Sequence, residues 1–226
     1  MDKIYIVGGG ASGMMAAIQA KTKDNEIILL EKNDRVGKKI LATGNGKCNL
    51  GNENLSVDCY YSKNGSFVEQ VLKRYDTESA VSFFASIGLK VRSKNGYLYP
   101  YAEQASVVLD VLRMELERWS IQVKPGVQIT DWTPLINKRG YLLKTPDGRS
   151  YEADRVILAC GGPASLKEGG KDGYNILQKL GLKTYPLVPG LVQLRTDGKE
   201  QKALSGVRCK ASLRLFADGI QQGSEQ

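Results

Sequence analysis

The hydrophobic positions at the start of the chain form two short apolar runs, separated by a glycine turn and a helical segment. Residues 4–7 (IYIV) and 27–30 (IILL) are continuous apolar runs, which are typical of parallel strands covered on both faces. The turn GGGASG occupies residues 8–13, and residues 14–20 then favour a helix. The pattern predicts a strand, a helix and a second strand, the βαβ unit of a parallel sheet.

Helical spacing of apolar residues recurs in the middle of the chain. Residues 66–75, 77–87 and 104–119 carry apolar positions three and four apart, so each segment is predicted to be an amphipathic helix. Residues 91–100 lie between the last two of these helices. They predict a β-hairpin, because Asn95-Gly96 is a favoured two-residue turn.

Short strands dominate the pattern after residue 126. We expect strands at 127–130, 141–145 and 150–152, the last two joined through a Pro-Asp-Gly turn. Residues 156–159 (VILA) form an apolar run of the kind found in parallel strands buried on both faces. A sheet strand that leads, after Cys160, into Gly161 and Gly162 is therefore predicted.

Two stretches give weaker patterns. Residues 32–65 are polar and interrupted by glycines, and we expect no regular element there. Past Pro189 the chain becomes β-rich and basic, with apolar segments at 191–194 and 207–216 and a polar tail at 221–226. One or two strands cannot bury a core by themselves.

The order of these elements predicts an α/β fold. Residues 1–190 are expected to form a Rossmann-like domain that carries a β-meander insertion. Residues 191–226 are expected to be the incomplete start of a second, β-rich domain.

The first glycine turn carries the chemistry of a dinucleotide site. Gly8 permits a tight turn out of the strand, Gly10 lets the backbone approach a pyrophosphate, and Gly13 lets the helix lie close to the sheet. Glu31 ends the second strand, where a carboxylate accepts hydrogen bonds from ribose hydroxyls and repels a 2′-phosphate. A chance match to the short glycine pattern is the alternative, but strand, helix, second strand and acid all occur in the expected order. The spacing favours FAD or NAD over NADP.

The second glycine turn, Ala159 to Gly162, follows the predicted strand at 156–159. Ligands of open α/β sheets bind at the carboxyl ends of the strands, so this turn is expected to face the same nucleotide as the first turn. An ordinary turn is the alternative.

Composition narrows the chemistry further. The chain has no histidine, which excludes a Ser-His-Asp triad, a Cys-His pair and a histidine-ligated metal, so a cofactor must supply the difficult chemistry. The four cysteines form no CxxC pair and no metal-ligand spacing.

No signal peptide and no apolar run of ~18 residues is found, so we expect a cytoplasmic protein without a membrane segment. The net charge of +8 fits a solvated basic surface or an anionic partner such as RNA.

Residues 35–49, RVGKKILATGNGKCN, resemble the signature of one flavoprotein family. The segment is similar to the G-x-K-x-x-x-(S/T)-G-x-G-(R/K)-C-N motif of the BaiN-like or YhiN-like NAD(P)/FAD-dependent oxidoreductases. Shorter similarities extend along nearly the whole chain, at residues 99–100, 105–108, 159–163, 172–173, 189–192 and 204–207.

The resemblance implies a Rossmann-like FAD-binding domain and assigns roles to individual residues. The pyrophosphate would be held by Gly8, Gly10, Ala11, Ser12 and Gly13, and the adenosine ribose by Glu31. The ADP half would be flanked by Lys32, Gly37, Lys38 and Lys39, and adenine by Val127. The flavin would lie along Thr43, Gly44, Asn45, Gly46, Lys47, Cys48 and Asn49, under a turn made of Ala159, Gly161 and Gly162.

Two residues of the signature keep alternative interpretations. Lys47 could stabilise negative charge on a reduced flavin or could be a solvated surface lysine. Cys48 could have a redox role, but no partner cysteine lies within sequence reach, which favours a structural role.

The resemblance implies an oxidoreductase in which NAD(P)H, a transient reductant, passes hydride through FAD to an electron-poor double bond. Bile-acid-like small molecules and uracil in ribosomal RNA are the substrate classes it suggests. Family members are much longer than this chain, and their final segment completes the flavin site. A truncated nucleotide-binding fragment without turnover is therefore the main alternative, and a flavin-dependent amine oxidase is a weaker one. The sequence identifies no catalytic residue, no metal site and no oligomeric state.

Overall fold

The computed structural model describes residues 1–164, 172–188, 207 and 212–225. The chain separates into two compact units, Met1–Tyr185 and Pro186–Gln226. The domain boundary predicted after residue 190 and the strand predicted at 191–194 lie outside the described residues.

The first unit begins with alternating strands and helices and continues, after α5, with a run of short strands. In chain order its described elements are β1 Asp2–Val7, α1 Ala11–Ala20, β2 Asn25–Glu31, α2 Lys38–Ala42, β3 Gly51–Asn52, α3 Gly65–Arg74, α4 Thr77–Ser86, β4 Val91–Lys94, β5 Tyr97–Pro100, α5 Ala105–Arg118, β6 Gln122–Pro125, β7 Asp131–Pro134, β8 Tyr141–Lys144, β9 Ser150–Ala153, β10 Arg155–Leu158 and α6 Asp172–Lys179. Short 3₁₀ turns occupy Thr43–Gly46 and Val57–Cys59.

Four parallel strands form the central sheet, in the order β10-β1-β2-β6. In the register, Ile4 pairs with Ile27 of β2 and with Arg155 of β10. Parallel neighbours need crossover connections, and helix α1 provides the one between β1 and β2. The predicted Rossmann-like α/β fold is confirmed.

The two faces of the sheet explain why residues 4–7 of β1 and residues 27–30 of β2 are all apolar. Ile6 and Leu29 point into a core formed with helices α1 and α5. Tyr5 and Ile28, one residue out of phase, belong to a second core with the antiparallel sheet β7-β8-β9 and helix α6. A strand covered on both sides needs apolar residues at odd and at even positions, because successive side chains point to opposite faces.

The insertion between β2 and β6 follows the predicted elements closely. Helices α3 and α4 begin at the N-caps Asn64 and Asp76, whose side chains accept hydrogen bonds from the backbone N–H groups three residues later. The hairpin β4-β5 turns at Asn95 and Gly96, which both have positive φ, as a type I′ turn requires.

Two predictions about local structure are wrong, and one helix was missed. No strand occupies 127–130, because Gly126 adopts a positive φ and ends β6, and the next strand starts only at Asp131. The segment 32–65 is not free of regular structure, since it contains α2 and the short strand β3, which pairs with β5. Helix α6 was not predicted from the sequence.

The described part of the second unit contains a β-hairpin. Strand β11 (Leu213–Ala217) pairs antiparallel with β12 (Ile220–Glu225). The polar tail predicted at 221–226 is therefore a strand up to residue 225, because its backbone pairs with β11 whatever its side chains. Within the described ranges of both units, none of the helices has the length and apolar character needed to cross a membrane.

Candidate functional site

A cavity of about 380 Å³ opens at the carboxyl ends of the parallel strands. Residues that follow strands β1, β2, β6 and β10 converge there, as expected for ligand sites of open α/β sheets. Its lining consists of Val7, Gly8, Gly9, Gly10, Ala11, Ser12, Leu30, Glu31, Lys32, Asn33, Gly37, Lys38, Lys39, Ile40, Thr43, Val127, Gln128, Ile129, Ala159, Cys160, Gly161, Gly162 and Asp172. This volume lies in the range of small-molecule sites.

The first turn of helix α1 faces this cavity without a capping side chain. Gly10 is the N-cap residue and has no side chain to accept a hydrogen bond, and the first helical turn carries no acidic residue. Ala11 and Ser12, which open the helix, line the cavity. Free N–H groups and the positive end of the helix dipole favour an anion at such a position.

The glycines of the first turn have different surroundings. Gly8 has φ +114°, and an added Cβ would lie 2.4 Å from the carbonyl oxygen of Ala159. A Cβ at Gly13 would lie 1.8 Å from the carbonyl oxygen of Gly8, so helix and strand approach more closely than any side chain allows. A Cβ at Gly10 would meet no protein atom within 4 Å. Among these three glycines of the first turn, Gly10 alone has open space where a side chain would lie.

The carboxylate of Glu31 is buried and held by three donors. Its Oε2 accepts from the backbone N–H of Gly9 at 2.7 Å, and its Oε1 accepts from the backbone N–H of Asn33 at 2.8 Å and from the Asn33 amide. These bonds orient the carboxylate at the edge of the cavity. Sequence reasoning missed Asn33, although a polar side chain just beyond the predicted acid was a possible signal.

Three lysines border the cavity, and each has a different partner. Lys32 forms an ion pair with Asp172 at 3.0 Å, and Lys38 pairs with Asp34 at 2.6 Å. Lys39 donates to the backbone carbonyl oxygen of Gly162 at 3.2 Å, which joins the two sides of the cavity. A carbonyl leaves the full positive charge of Lys39 unneutralised, which suits an anionic ligand.

The second glycine turn closes one side of the same cavity. The N–H of Ala159 donates to the carbonyl oxygen of Val7 at 2.8 Å, so this turn lies against the end of β1. Cys160 is the next residue of this turn, and its thiol donates to the same carbonyl at 3.4 Å. Burial, together with the nearby carboxylate of Asp172, raises the pKa of the Cys160 thiol to about 11. The thiol is therefore protonated at neutral pH.

Most of the signature loop lies outside the lining of the cavity. Thr43 contributes to the lining, whereas Gly44, Asn45, Gly46, Lys47, Cys48 and Asn49 do not, and neither does Gly13. Lys47 pairs with Glu103 at 2.8 Å. Cys48 is buried in the core beside α1 and α5, and burial raises the pKa of its thiol. A contact of these residues with a flavin stays a prediction.

Several lining residues were not expected from the sequence. Gln128 and Asp172 meet at the cavity edge, where the Gln128 amide donates to Asp172 at 3.3 Å. Gly9, Ile40 and Cys160 were missed as well. Asp172 is the first residue of helix α6. Because this helix was not predicted from the sequence, Asp172 was not expected at the cavity.

Fold and site together define a Rossmann-type nucleotide-binding domain: a parallel sheet, a glycine turn into a helix, and an acid that ends the second strand. The model of the HI0933-like protein Rossmann domain matches residues 2–212. The chain belongs to this HI0933-like family, which confirms the family resemblance seen in the sequence.

Two relatives of the chain have names that assign an enzymatic activity. The chain is 42% identical to the 3-dehydro-bile acid delta(4,6)-reductase of Clostridium scindens over 94% of its own length and 52% of the reductase. It is 26% identical to the ribosomal RNA dihydrouridine synthase of Haemophilus influenzae, over 89% of this chain and 51% of the synthase. The chain thus spans about half the length of these relatives.

Two solved structures share the fold. Thermovibrio ammonificans THI4 is 18% identical, with a TM-score of 0.53 over 80% of this chain and 64% of THI4. The open conformation of a flavocytochrome c3 fumarate reductase is 16% identical, with a TM-score of 0.54 over 79% of this chain and 40% of the reductase. At these identities the likeness concerns the fold alone.

Proposed function

We propose that the cavity holds FAD and that the domain is the cofactor-binding part of a flavin-dependent oxidoreductase. The observation that carries the proposal is the uncapped N-terminus of α1 beside Gly10, where the protein leaves space and free N–H groups for a pyrophosphate. Glu31, oriented by Gly9 and Asn33, would accept hydrogen bonds from the adenosine ribose.

The charges around the cavity favour FAD, which has no 2′-phosphate, over NADP. Lys39 would attract the diphosphate, and the carboxylate of Glu31 would repel a 2′-phosphate on the ribose. A flavin held by these residues would supply hydride-transfer chemistry between a reductant and a substrate. NAD(P)H is the reductant we propose.

The substrate class follows from the relatives' activities. We propose an electron-poor carbon–carbon double bond in a small molecule, since identity to the bile-acid reductase is 42%, against 26% for the ribosomal RNA dihydrouridine synthase. Uracil in RNA is the second candidate, and the net charge of +8 favours it. The third possibility is a domain that binds the nucleotide without turnover, because the chain spans about half of its relatives.

A visible spectrum followed by two additions tests the proposal. Purified protein incubated with FAD and desalted should keep oxidised-flavin absorbance, which should bleach anaerobically with NADH or NADPH. Adding an unsaturated keto-steroid should restore the absorbance under anaerobic conditions, whereas uracil-containing RNA should not. A protein that retains no flavin would contradict the cofactor assignment, and a reduced flavin that RNA alone reoxidises would favour the second substrate class.

A further inference from the structure

We propose that Glu103 is a positioning residue, whose carboxylate holds the loop formed by residues 43–49 in place beside the cavity. The inference rests on the proposed function, because it concerns the part of the FAD site that this loop would complete. The contact itself is a property of the chain alone.

One carboxylate joins the loop to the β4-β5 hairpin. Oε2 of Glu103 lies 2.8 Å from the ammonium of Lys47 in the loop. Its Oε1 forms ion pairs with Arg92 and, at 3.6 Å, with Lys94, both on strand β4. The side chain of Glu103 is 18% exposed, against 41% for Lys47, so the shared group is the more buried member.

The backbone of Glu103 adopts an unfavourable conformation that serves this contact. Its φ is +50°, in the left-handed region that a glutamate rarely enters. The residue lies two positions before the start of α5, and its N–H donates to the carbonyl oxygen of Pro100 at 2.8 Å, so the backbone on both sides of Glu103 is held in place. Such conformations persist where the surrounding structure imposes them, and they concentrate at functional sites.

The same helix also supports the preceding part of the signature segment. Arg113 of α5 donates to the carbonyl oxygen of Val36 at 3.3 Å, and Leu109 fills the space beside Gly37. Glu103, which precedes the helix, extends this support to Lys47, so α5 and the residues before it contact the segment near both of its ends.

The loop itself has features that call for an external anchor. Gly44 and Asn45 have φ values of +54° and +56°, and residues 43–46 are exposed. Inside the loop, the N–H of Lys47 bonds to the carbonyl oxygen of Gly44 and that of Cys48 to Thr43. The Lys47–Glu103 pair connects this local turn to residues far away in the sequence.

Neutralising the carboxylate should release the loop. Three cations surround Glu103, so Glu103→Gln leaves Lys47, Arg92 and Lys94 to repel one another. Lys47 should then move into solvent, and the peptide bond after it should become accessible to trypsin.

Limited trypsin digestion of the full chain, read by mass spectrometry, tests this without any cofactor. We expect cleavage after Lys47 to be about two- to fivefold faster in Glu103→Gln, the range for loss of a partly exposed ion pair. Glu103→Gly removes the carboxylate but relieves the backbone, so it should also cleave faster while unfolding no more readily than the wild type. The matched control is Glu152→Gln, which removes the exposed partner of Lys138 and should leave cleavage after Lys47 unchanged.

A second measurement connects the contact to the cofactor. The dissociation constant of FAD should rise about three- to tenfold in Glu103→Gln and in Lys47→Met, with no further rise in the double variant, because both changes remove one contact. Wild-type cleavage and wild-type FAD affinity in Glu103→Gln would overturn the inference. A wild-type chain that binds no FAD, yet shows the cleavage difference, would reject the proposed function and keep the role of Glu103 in positioning the loop.

Discussion

Gly10 and Gly13 lie in the same turn, yet the structure gives them opposite tolerances. Gly10 has an extended backbone and open space around its missing Cβ, whereas a Cβ at Gly13 would overlap the carbonyl of Gly8. A side chain at position 10 would therefore occupy space needed by a ligand, whereas a side chain at position 13 would destabilise the folded domain.

Gly10→Val should abolish FAD binding while the melting temperature stays close to that of the wild type. The branched side chain fits the extended backbone but occupies the space proposed for the pyrophosphate. Gly13→Val is the control and should lower the melting temperature strongly. An FAD titration of a folded Gly10→Val variant that shows unchanged affinity would disprove the proposed site.

Glu31→Ala should weaken FAD binding by roughly 1 to 3 kcal/mol, the cost of losing a buried polar partner. It should also lower the free energy of unfolding, because the buried N–H of Gly9 loses its acceptor. Glu31→Gln keeps an acceptor oxygen, so it should lower the FAD affinity and the free energy of unfolding by less than Glu31→Ala does. Isothermal titration together with urea unfolding separates the two effects, and unchanged affinity in Glu31→Ala would place the ribose elsewhere.

The thiol of Cys160 should make the domain less stable at alkaline pH. In the folded state its pKa is raised to about 11, whereas an unfolded thiol ionises near pH ~8.5. Below that pH the thiol is protonated in both states, and the free energy of unfolding keeps its full value. Between about pH 8.5 and 11 only the unfolded thiol ionises, so the free energy of unfolding falls by about 1.4 kcal/mol per pH unit.

Urea unfolding between pH 8 and 10.5 should therefore show a shallower decline for Cys160→Ala than for the wild type. The exposed Cys59 provides the control, since Cys59→Ala should keep the wild-type slope. Equal slopes for all three proteins would show that Cys160 does not titrate as proposed.

At the scale of elements, helix α5 supports the wall of the cavity. Leu109 of this helix is buried and packs against Gly37. A Cβ added at Gly37 would lie 2.2 Å from a methyl group of Leu109. The helix thus sets how closely the segment that contains Lys38 and Lys39 approaches the sheet.

Leu109→Ala should lower the free energy of unfolding by about 2 to 5 kcal/mol, the range for truncating a buried leucine. Met114, on the same helix, is 66% exposed, and Met114→Ala should change stability by less than about 0.5 kcal/mol. Denaturant unfolding monitored by far-UV circular dichroism provides both values. A cost below 1 kcal/mol for Leu109→Ala would show that α5 is not packed as described.

Elements defined by local patterns were predictable from the sequence, and those that depend on distant partners were not. Helix α5 and the hairpin at Asn95-Gly96 were found because periodicity and turn chemistry are local. Strand β3 has two residues and exists through its pairing with β5. The buried, apolar residues Val127 and Ile129 resembled a strand, but the turn at Gly126 directs this segment to cover the sheet instead.

At the scale of the whole molecule, the length of the relatives bears on cofactor affinity. The chain spans 52% of the bile-acid reductase, so half of that protein has no counterpart in it. If part of that half contacts the cofactor, this chain alone binds FAD with a fraction of the interactions.

A chimaera that appends the unmatched half of the Clostridium scindens reductase to this chain should bind FAD more tightly than the chain alone. The added contacts should increase the affinity at least about tenfold, equivalent to about 1.4 kcal/mol. The same chimaera with Gly10→Val should bind no FAD, which controls for a site in the appended half. Equal affinities in side-by-side titrations would show that residues 1–226 hold the cofactor unaided.

By itself, the sequence determined the Rossmann-like class, the family and the residues of the first glycine turn. These depend on contacts between neighbours in the chain: a strand, a turn that only glycine can make, and a helix that starts there. Only the tertiary structure decided that Asp172 and Gln128 meet at the cavity edge and that Lys47 forms an ion pair with Glu103. The Asp172–Gln128 and Lys47–Glu103 contacts join residues far apart in the chain, so their formation depends on how the packed sheet and helices bring the segments together, and no local pattern encodes it.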